Sequence, residues 1–339
     1  VRTGAPSRTL LRGRLAALAI PAGAMAAATL LAATGKGGVA AFYLGPFSST
    51  YALGNMLESA SVLAVAAAGA FIALRAGAVN LGGEGQFFLG ALAGHALLIS
   101  SGGMSPVIAI PLAAAAALLS AAALGGLSSG LRRLSGADEL ITSFLASQAA
   151  IPVLDWAVAG PLKDPGSQLI ATRALPSALG LARLMPPSAL NAGIFGAGAA
   201  AAAAWILLRR TRTGYLIRME GLSPDFSAAS GLPGSRVRAF AMIAGAGLMG
   251  LAGLWAAQGR SLRVFQSFAA GRGFSALACA LVAGTRPALV PVSAFFFSFL
   301  EAGSRSAQAA AGVPAQSAAI IQALVLLAVA AGAGRERKR

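Results

Sequence analysis

Histidine and cysteine are nearly missing from this chain, each occurring once in 339 residues, as His95 and Cys279. A disulfide framework needs paired thiols and a zinc site needs clustered His and Cys, so neither is expected. Cys279 lies in the apolar run FSALACALVAG and reads as a small packing residue. Carboxylates are scarce too: ten Asp and Glu stand against 26 Lys and Arg, a formal net charge of +16. Such a balance can mark a nucleic-acid binder. Here the basic residues sit in short groups flanking apolar runs, which is a topology signal with anionic lipid headgroups as counter-charges, so no nucleic-acid partner is expected. A phosphate-binding G-x-x-x-x-G-K-S/T loop is also lacking. The nearest imitation, TGKGG at Thr34 to Gly38, has Gly37 where a hydroxyl would hold magnesium.

Apolar residues are what the chain has: 57% are hydrophobic, 11% are charged, and the mean hydropathy is +0.76. Those values lie outside the range of soluble domains. Runs such as Val107–Leu127 and Gly193–Leu208 are apolar all round, where a soluble helix would keep a polar face. The alanine-rich blocks show no period of two, which excludes a transmembrane barrel. The chain therefore reads as an all-α polytopic membrane protein, a single transmembrane domain over residues 1–339.

Taking stretches of roughly 17–25 apolar residues as spans, the sequence gives about ten transmembrane helices, some short or broken. They are Leu15–Thr34, Leu57–Leu74, Phe87–Ser100, Val107–Leu127, Leu140–Ala159, Ala189–Leu208, Val237–Ala257, Phe274–Ala283, Ala288–Leu300 and Ala315–Ala333. The third, eighth and ninth are short and read as re-entrant or broken helices. The first run lacks an A-x-A-like cleavage site and reads as a retained span.

Arginines test this order independently, because cytoplasmic ends collect them. The basic terminus 1–14 precedes the first span; Arg75, Arg132 with Arg133, Arg209 with Arg210, Arg286 and the basic tail 334–339 follow the even ones. Every even span then ends inside, and both termini are expected in the cytoplasm. Arg260, Arg263 and Arg272 fall on the wrong side of this scheme.

Two connections are long. Residues 160–188, with GPLKDPGSQ and several prolines, read as an ordered extracytoplasmic loop. Residues 209–238 read as a cytoplasmic loop with a short amphipathic helix over Ser223–Ser230, started by Ser-Pro and stopped at Gly231 with Pro233 beyond.

The stretch NLGGEGQFFLGALAG, from Asn80 to Gly94, places polar groups between two greasy runs and is the most unusual part of the chain. It resembles the N-I/L-G-x-E-G-Q signature of the permease subunits of ABC importers for nucleosides, the branch whose binding proteins are lipoproteins of the basic-membrane-protein type. This branch lies within the branched-chain amino acid and ribose permease superfamily. Further segments carry the same likeness in chain order: YALGNMLESA, GADELITS, GPLKDPGS, TRTGYLIRMEGLSPDFSAASGL and GRGFSALACALVAG. The resemblance covers roughly residues 50–330, far more than one motif supports. There are departures. Asp138 stands for a usual Asn, Met219 and Glu220 replace an Ala-x pair, Ser223 replaces Asn, and Ser275 stands where Asp or Thr is common.

The resemblance implies a permease subunit in the bacterial cytoplasmic (inner) membrane that binds no cofactor itself. ATP and magnesium would be held by a cytoplasmic ABC ATPase, and solute would arrive on an extracytoplasmic substrate-binding lipoprotein. A second permease subunit, identical or homologous, would complete the pathway. Coupling is assigned to Gly214–Gly231: Tyr215 and Phe226 as anchors in the ATPase, Arg218 as partner of an ATPase carboxylate, Gly221 as a close turn, Ser223 and Gly231 as helix boundaries. The bland alternative is that these arginines only obey the positive-inside rule.

Asn80, Glu84 and Gln86 have two readings. They line the translocation path or its inner gate, offering amide and carboxylate groups to a ribose or base, or they hydrogen-bond across a close contact that the surrounding glycines permit. His95 reads as a packing residue, Glu301 with Arg305 as a local i, i+4 pair, and Asp155 with Trp156 as the outer end of the fifth span. An ion-coupled secondary transporter would carry acidic groups within its spans, and most spans here have none. An intramembrane serine hydrolase could use GLSSG around Ser128, but its only histidine, His95, is on another span.

Overall fold

The structure is a computed structural model that describes residues 35–314 and scattered positions on either side. The first and last expected spans, Leu15–Thr34 and Ala315–Ala333, lie outside the continuously described residues. Among the described residues helices dominate, with only isolated bridges between loops. In chain order they are α1 (Gly38–Leu44), α2 (Thr50–Arg75), α3 (Gly83–Ser100), α4 (Pro106–Ser135), α5 (Glu139–Ala159), α6 (Gly193–Arg210), α7 (Arg212–Leu222), α8 (Pro224–Ala229), α9 (Gly234–Ala256), α10 (Arg272–Ala283) and α11 (Val290–Ala311). A π turn, Ala257–Ser261, continues α9, and a 3-10 turn at Pro287–Leu289 precedes α11. Among the described residues, five helices are long and apolar enough to cross a membrane: α2, α4, α5, α9 with its π turn, and α11 with its 3-10 turn. This is a multi-pass membrane architecture.

Each expected span between 57 and 300 falls on a helix, with shifted ends. The fourth runs on past Leu127 to Ser135, carrying Arg132 and Arg133 to its last turn, where cations suit the helix dipole. The ninth is not short. Ending it at Leu300 treats Glu301 as a boundary, whereas the helix continues to Ala311 because Arg305, one turn on, pairs with Glu301 at 3.1 Å. The helix α7 is an addition the apolar pattern gave no sign of.

Helix α9 is the hub and packs against α2, α3 and α4. Small residues set these contacts, as in bundles where van der Waals contact replaces the hydrophobic effect. Gly69 of α2 faces the Gly245 carbonyl of α9, and Gly253 of α9 faces the Phe87 carbonyl of α3, so a methyl at either position would overlap backbone.

The third and eighth spans are broken helices. Gly77 lies beside Gly221 and Arg238, whereas Gly83 lies beside Met249 and Gly273. Arg238 and Met249 are about 16 Å apart along α9 at helical rise. Residues 77–82 therefore run extended into the bundle, and α3 starts in its interior. The twelve-residue α10 starts at the same depth, with Gly83 and Gly273 in contact.

Candidate functional site

A helix that begins inside a membrane bundle exposes first-turn N–H groups with no water to satisfy them. The Asn80–Gln86 stretch supplies the partners. Asn80 Nδ2 donates to Gln86 Oε1 at 2.8 Å, Gln86 Nε2 donates back to Asn80 Oδ1 at 3.2 Å, and the same oxygen accepts from the Gly82 amide at 2.9 Å. Two serines of α5 reach across: Ser143 Oγ accepts from Leu81 N and Ser147 Oγ from Gly85 N. Glu84 turns to α10, its carboxylate accepting from the amides of Gly271 at 3.2 Å, Gly273 at 2.7 Å and Phe274 at 3.3 Å. It thus caps α10, whose own N-cap, Gly271 at φ 88°, has no side chain to do so. Asn80, Glu84 and Gln86 are all buried.

The arginines that broke the topology scheme are engaged within the chain. Arg263 pairs with Asp164 of the 160–188 loop at 2.9 Å, and Arg260 approaches Glu58 of α2 at 3.6 Å. Arg272 donates to Ser59 of α2 at 3.2 Å. The 160–188 loop lies along residues 262–265, with Thr172 N bonded to Val264 O and Leu175 N to Leu262 O, both at 2.8 Å. His95 ties α3 to it, its Nε2 lying 2.7 Å from Thr172 Oγ1 and 3.0 Å from Arg173 O. Asp155 accepts from Ser267 N at 2.7 Å, while Trp156 is exposed. Ser128, at the GLSSG match, bonds the Leu124 carbonyl, so the serine and the histidine do not meet.

At the other end of the bundle several further arginines gather. Arg75, Arg209 and Arg218 line a cavity of about 340 Å³ together with Phe71, Thr285 and Pro287. Arg218 is thus directed toward its own chain's arginines, with Nη1 buried and unbonded. Arg133 reaches the Ser235 carbonyl at the start of α9.

The α7–α8 segment sits on this arginine-rich end. Thr211 caps α7 by accepting from Gly214 N, and Ser223 caps α8 by accepting from Phe226 N. The short helix expected over 223–230 is α8, and Gly231 follows it at φ 69°, the left-handed conformation that favours glycine. Gly221 is not at a turn. It lies inside α7, where a side chain would overlap the Arg75 carbonyl, so its role is to let α7 press on the end of α2. Gly214 plays the same part against the Leu207 carbonyl. Glu220 pairs with Arg238 of α9 at 3.0 Å, which accounts for a carboxylate at that departure from the family pattern. Tyr215 and Phe226 point away, 51% and 54% exposed.

A multi-pass helical bundle with two interior helix starts and a helical cap at its basic end is the architecture of a membrane permease. The chain belongs to the branched-chain amino acid transport system / permease component family, whose pattern matches residues 52–330. It is 30% identical over 293 residues to a probable riboflavin import permease of Treponema pallidum, covering 86% of this chain and 78% of that one. It is 30% identical over 322 residues to a glucose ABC transporter permease of Haloferax volcanii, covering 88% and 84%. A nucleoside ABC transporter permease of Lactococcus lactis is 24% identical over 297 residues, covering 85% and 81%. No solved structure matches the chain.

Proposed function

We propose that this chain is the membrane subunit of an ATP-driven importer, carrying a nucleoside or a similar hydroxyl-bearing solute inward across the cytoplasmic membrane. The observation that carries this reading is α7–α8: two capped helices clamped to α2 and α9 by Gly221 and the Glu220–Arg238 pair, presenting Tyr215 and Phe226 outward. A rigid element with exposed aromatic anchors is what a force-transmitting contact with a separate ATPase needs. The arginine-rich end is then cytoplasmic by the positive-inside rule, and the 160–188 loop faces a binding protein on the other side. A second permease subunit completes the pathway. Asn80, Glu84 and Gln86 hold the broken helices together in this reading, since their polar groups are directed to one another and to backbone amides. The relatives named for riboflavin, glucose and nucleosides share a hydroxyl-bearing cargo, which supports that solute class.

The test is uptake of labelled uridine, glucose or riboflavin into proteoliposomes holding this chain with its ATPase, partner permease and binding protein. Uptake that needs ATP and the binding protein sustains the proposal. Uptake that proceeds without the ATPase and follows a proton or sodium gradient replaces it with a secondary transporter.

A further inference from the structure

Five charged side chains meet beside the point where α3 and α10 begin, and two are only partly covered in the middle of a spanning helix. Glu301 lies near the centre of α11, a helix of about 33 Å at helical rise. Its side chain is 32% exposed and that of Arg305 is 46% exposed. Ser59 Oγ of α2 lies 3.3 Å from Glu301 Oε2 and 3.2 Å from Arg272 Nη1, which joins α11, α2 and α10 at one depth. Glu58 is 2% exposed and draws in Arg260 from the π turn of α9.

Charge at that depth cannot face lipid: each such group costs about 2.5–3.5 kcal/mol at a helix centre even on the mildest scale. Snorkelling does not relieve it here, because Arg305 folds back onto Glu301 instead of reaching for the helix end. The polar face continues toward the C-terminal end of α11, since Gln308, seven residues on from Glu301, is exposed on the same stripe. Val292 and Phe295, also exposed, lie on another part of the α11 surface.

We propose that the face carrying Arg260, Arg272, Glu301 and Arg305, with buried Glu58 behind Arg260, is the wetted wall of the solute path at mid-depth, and that it takes a neutral, hydroxyl-rich solute. Two of the arginines already lie against carboxylates, so the wall offers donors and acceptors without a large unbalanced charge. Hydroxyls bridge such pairs by accepting from guanidinium and donating to carboxylate. The broken helices give the wall its depth, since discontinuous helices are where transporters place sites near the midplane. This inference rests on the importer reading for the solute's passage.

The test uses the full chain in the assembled complex, in membranes open to both sides. The single native thiol, buried Cys279, is removed as Cys279→Ala. Single cysteines are placed by Arg305→Cys, Gln308→Cys, Val292→Cys and Phe295→Cys, then treated with a charged methanethiosulfonate. Thiolate forms only where water reaches, so positions 305 and 308 react at least about tenfold faster than 292 and 295. Uridine, glucose or riboflavin, added with the binding protein, slows reaction at 305, and glutamate does not. Equal slow rates at all four positions, or cross-linking of two copies through position 305 without labelling, overturn the wall and make the face a contact between subunits. Fast labelling that only glutamate slows, or that none of the four slows, overturns the solute class. Labelling is read without transport, so if position 305 labels as expected but the Cys279→Ala parent, whose wall is intact, fails ATP-driven uptake, the importer reading alone is lost.

Discussion

Glu84 Oε1 accepts the Gly273 amide at 2.7 Å, joining residues far apart in sequence and closing the first turn of α10 from the first turn of α3. Three amides converge on that carboxylate inside the bundle. Glu84→Ala leaves them without a partner where water is scarce, and each orphaned group costs about 1–3 kcal/mol. A loss of about 2–4 kcal/mol is expected, seen as a lower melting temperature in detergent. Glu84→Gln keeps one oxygen and should lose less than half as much. An alanine variant that melts with the parent protein would refute the capping role.

The glycine contacts separate positions that need a hydrogen atom from those that merely have one. Gly253→Ala drives a methyl into the Phe87 carbonyl and Gly245→Ala into the Gly69 carbonyl, each costing about 1–3 kcal/mol by overpacking. Gly130 and Gly198, on α4 and α6, have open space where the methyl would go. Alanine there should raise stability by about 0.5–1 kcal/mol through lower unfolded-chain entropy. Thermal melts of the four variants check the division, and an equal response from all of them contradicts it.

Tyr215 and Phe226 should matter to the partner and not to the fold. Both are more than half exposed, so Tyr215→Ala and Phe226→Ala should move the melting temperature little. As anchors in a pocket of the ATPase, each is expected to cost about 2 kcal/mol of association, roughly thirtyfold in Kd. Titrating purified ATPase onto the chain in nanodiscs measures it. Unchanged affinity in both variants would move the contact elsewhere.

The all-helical, membrane-spanning class was legible in the apolar runs because burial in lipid leaves its mark on every residue of a helix. Arg75, Arg132 and Arg209 lie in the last turns of their helices, as a local topology signal places them, whereas Arg260, Arg263 and Arg272 do not fit that pattern. Those last are matched by Glu58, Asp164 and Ser59, partners distant in sequence that no local pattern reveals. The same blindness placed a span boundary at Glu301, since a paired charge and an exposed one look alike in a hydropathy window. Ser-Pro and Gly231 gave away α8 because capping is local chemistry. Helix α7 is held by Gly221 against α2 and by Glu220 against α9, and so it was visible only in three dimensions.

The Glu220–Arg238 pair ties α7 to α9, and its contribution can be isolated. The two side chains are 7% and 14% exposed at 3.0 Å, and Gly234 leaves room for the carboxylate. Removing one partner strands the other, so Glu220→Leu or Arg238→Met alone should destabilise by about 3 kcal/mol. The double variant strands nothing, and a coupling energy of about 0.5–3 kcal/mol should appear in the cycle. If this pair transmits ATPase closure to the hub helix, the double variant will still hydrolyse ATP but will move less solute per ATP than the parent complex. Measuring uptake and hydrolysis on the same vesicles gives that ratio. A ratio equal to the parent's would leave the pair a purely structural tie and shift the transmission of force to Gly221 and the end of α2.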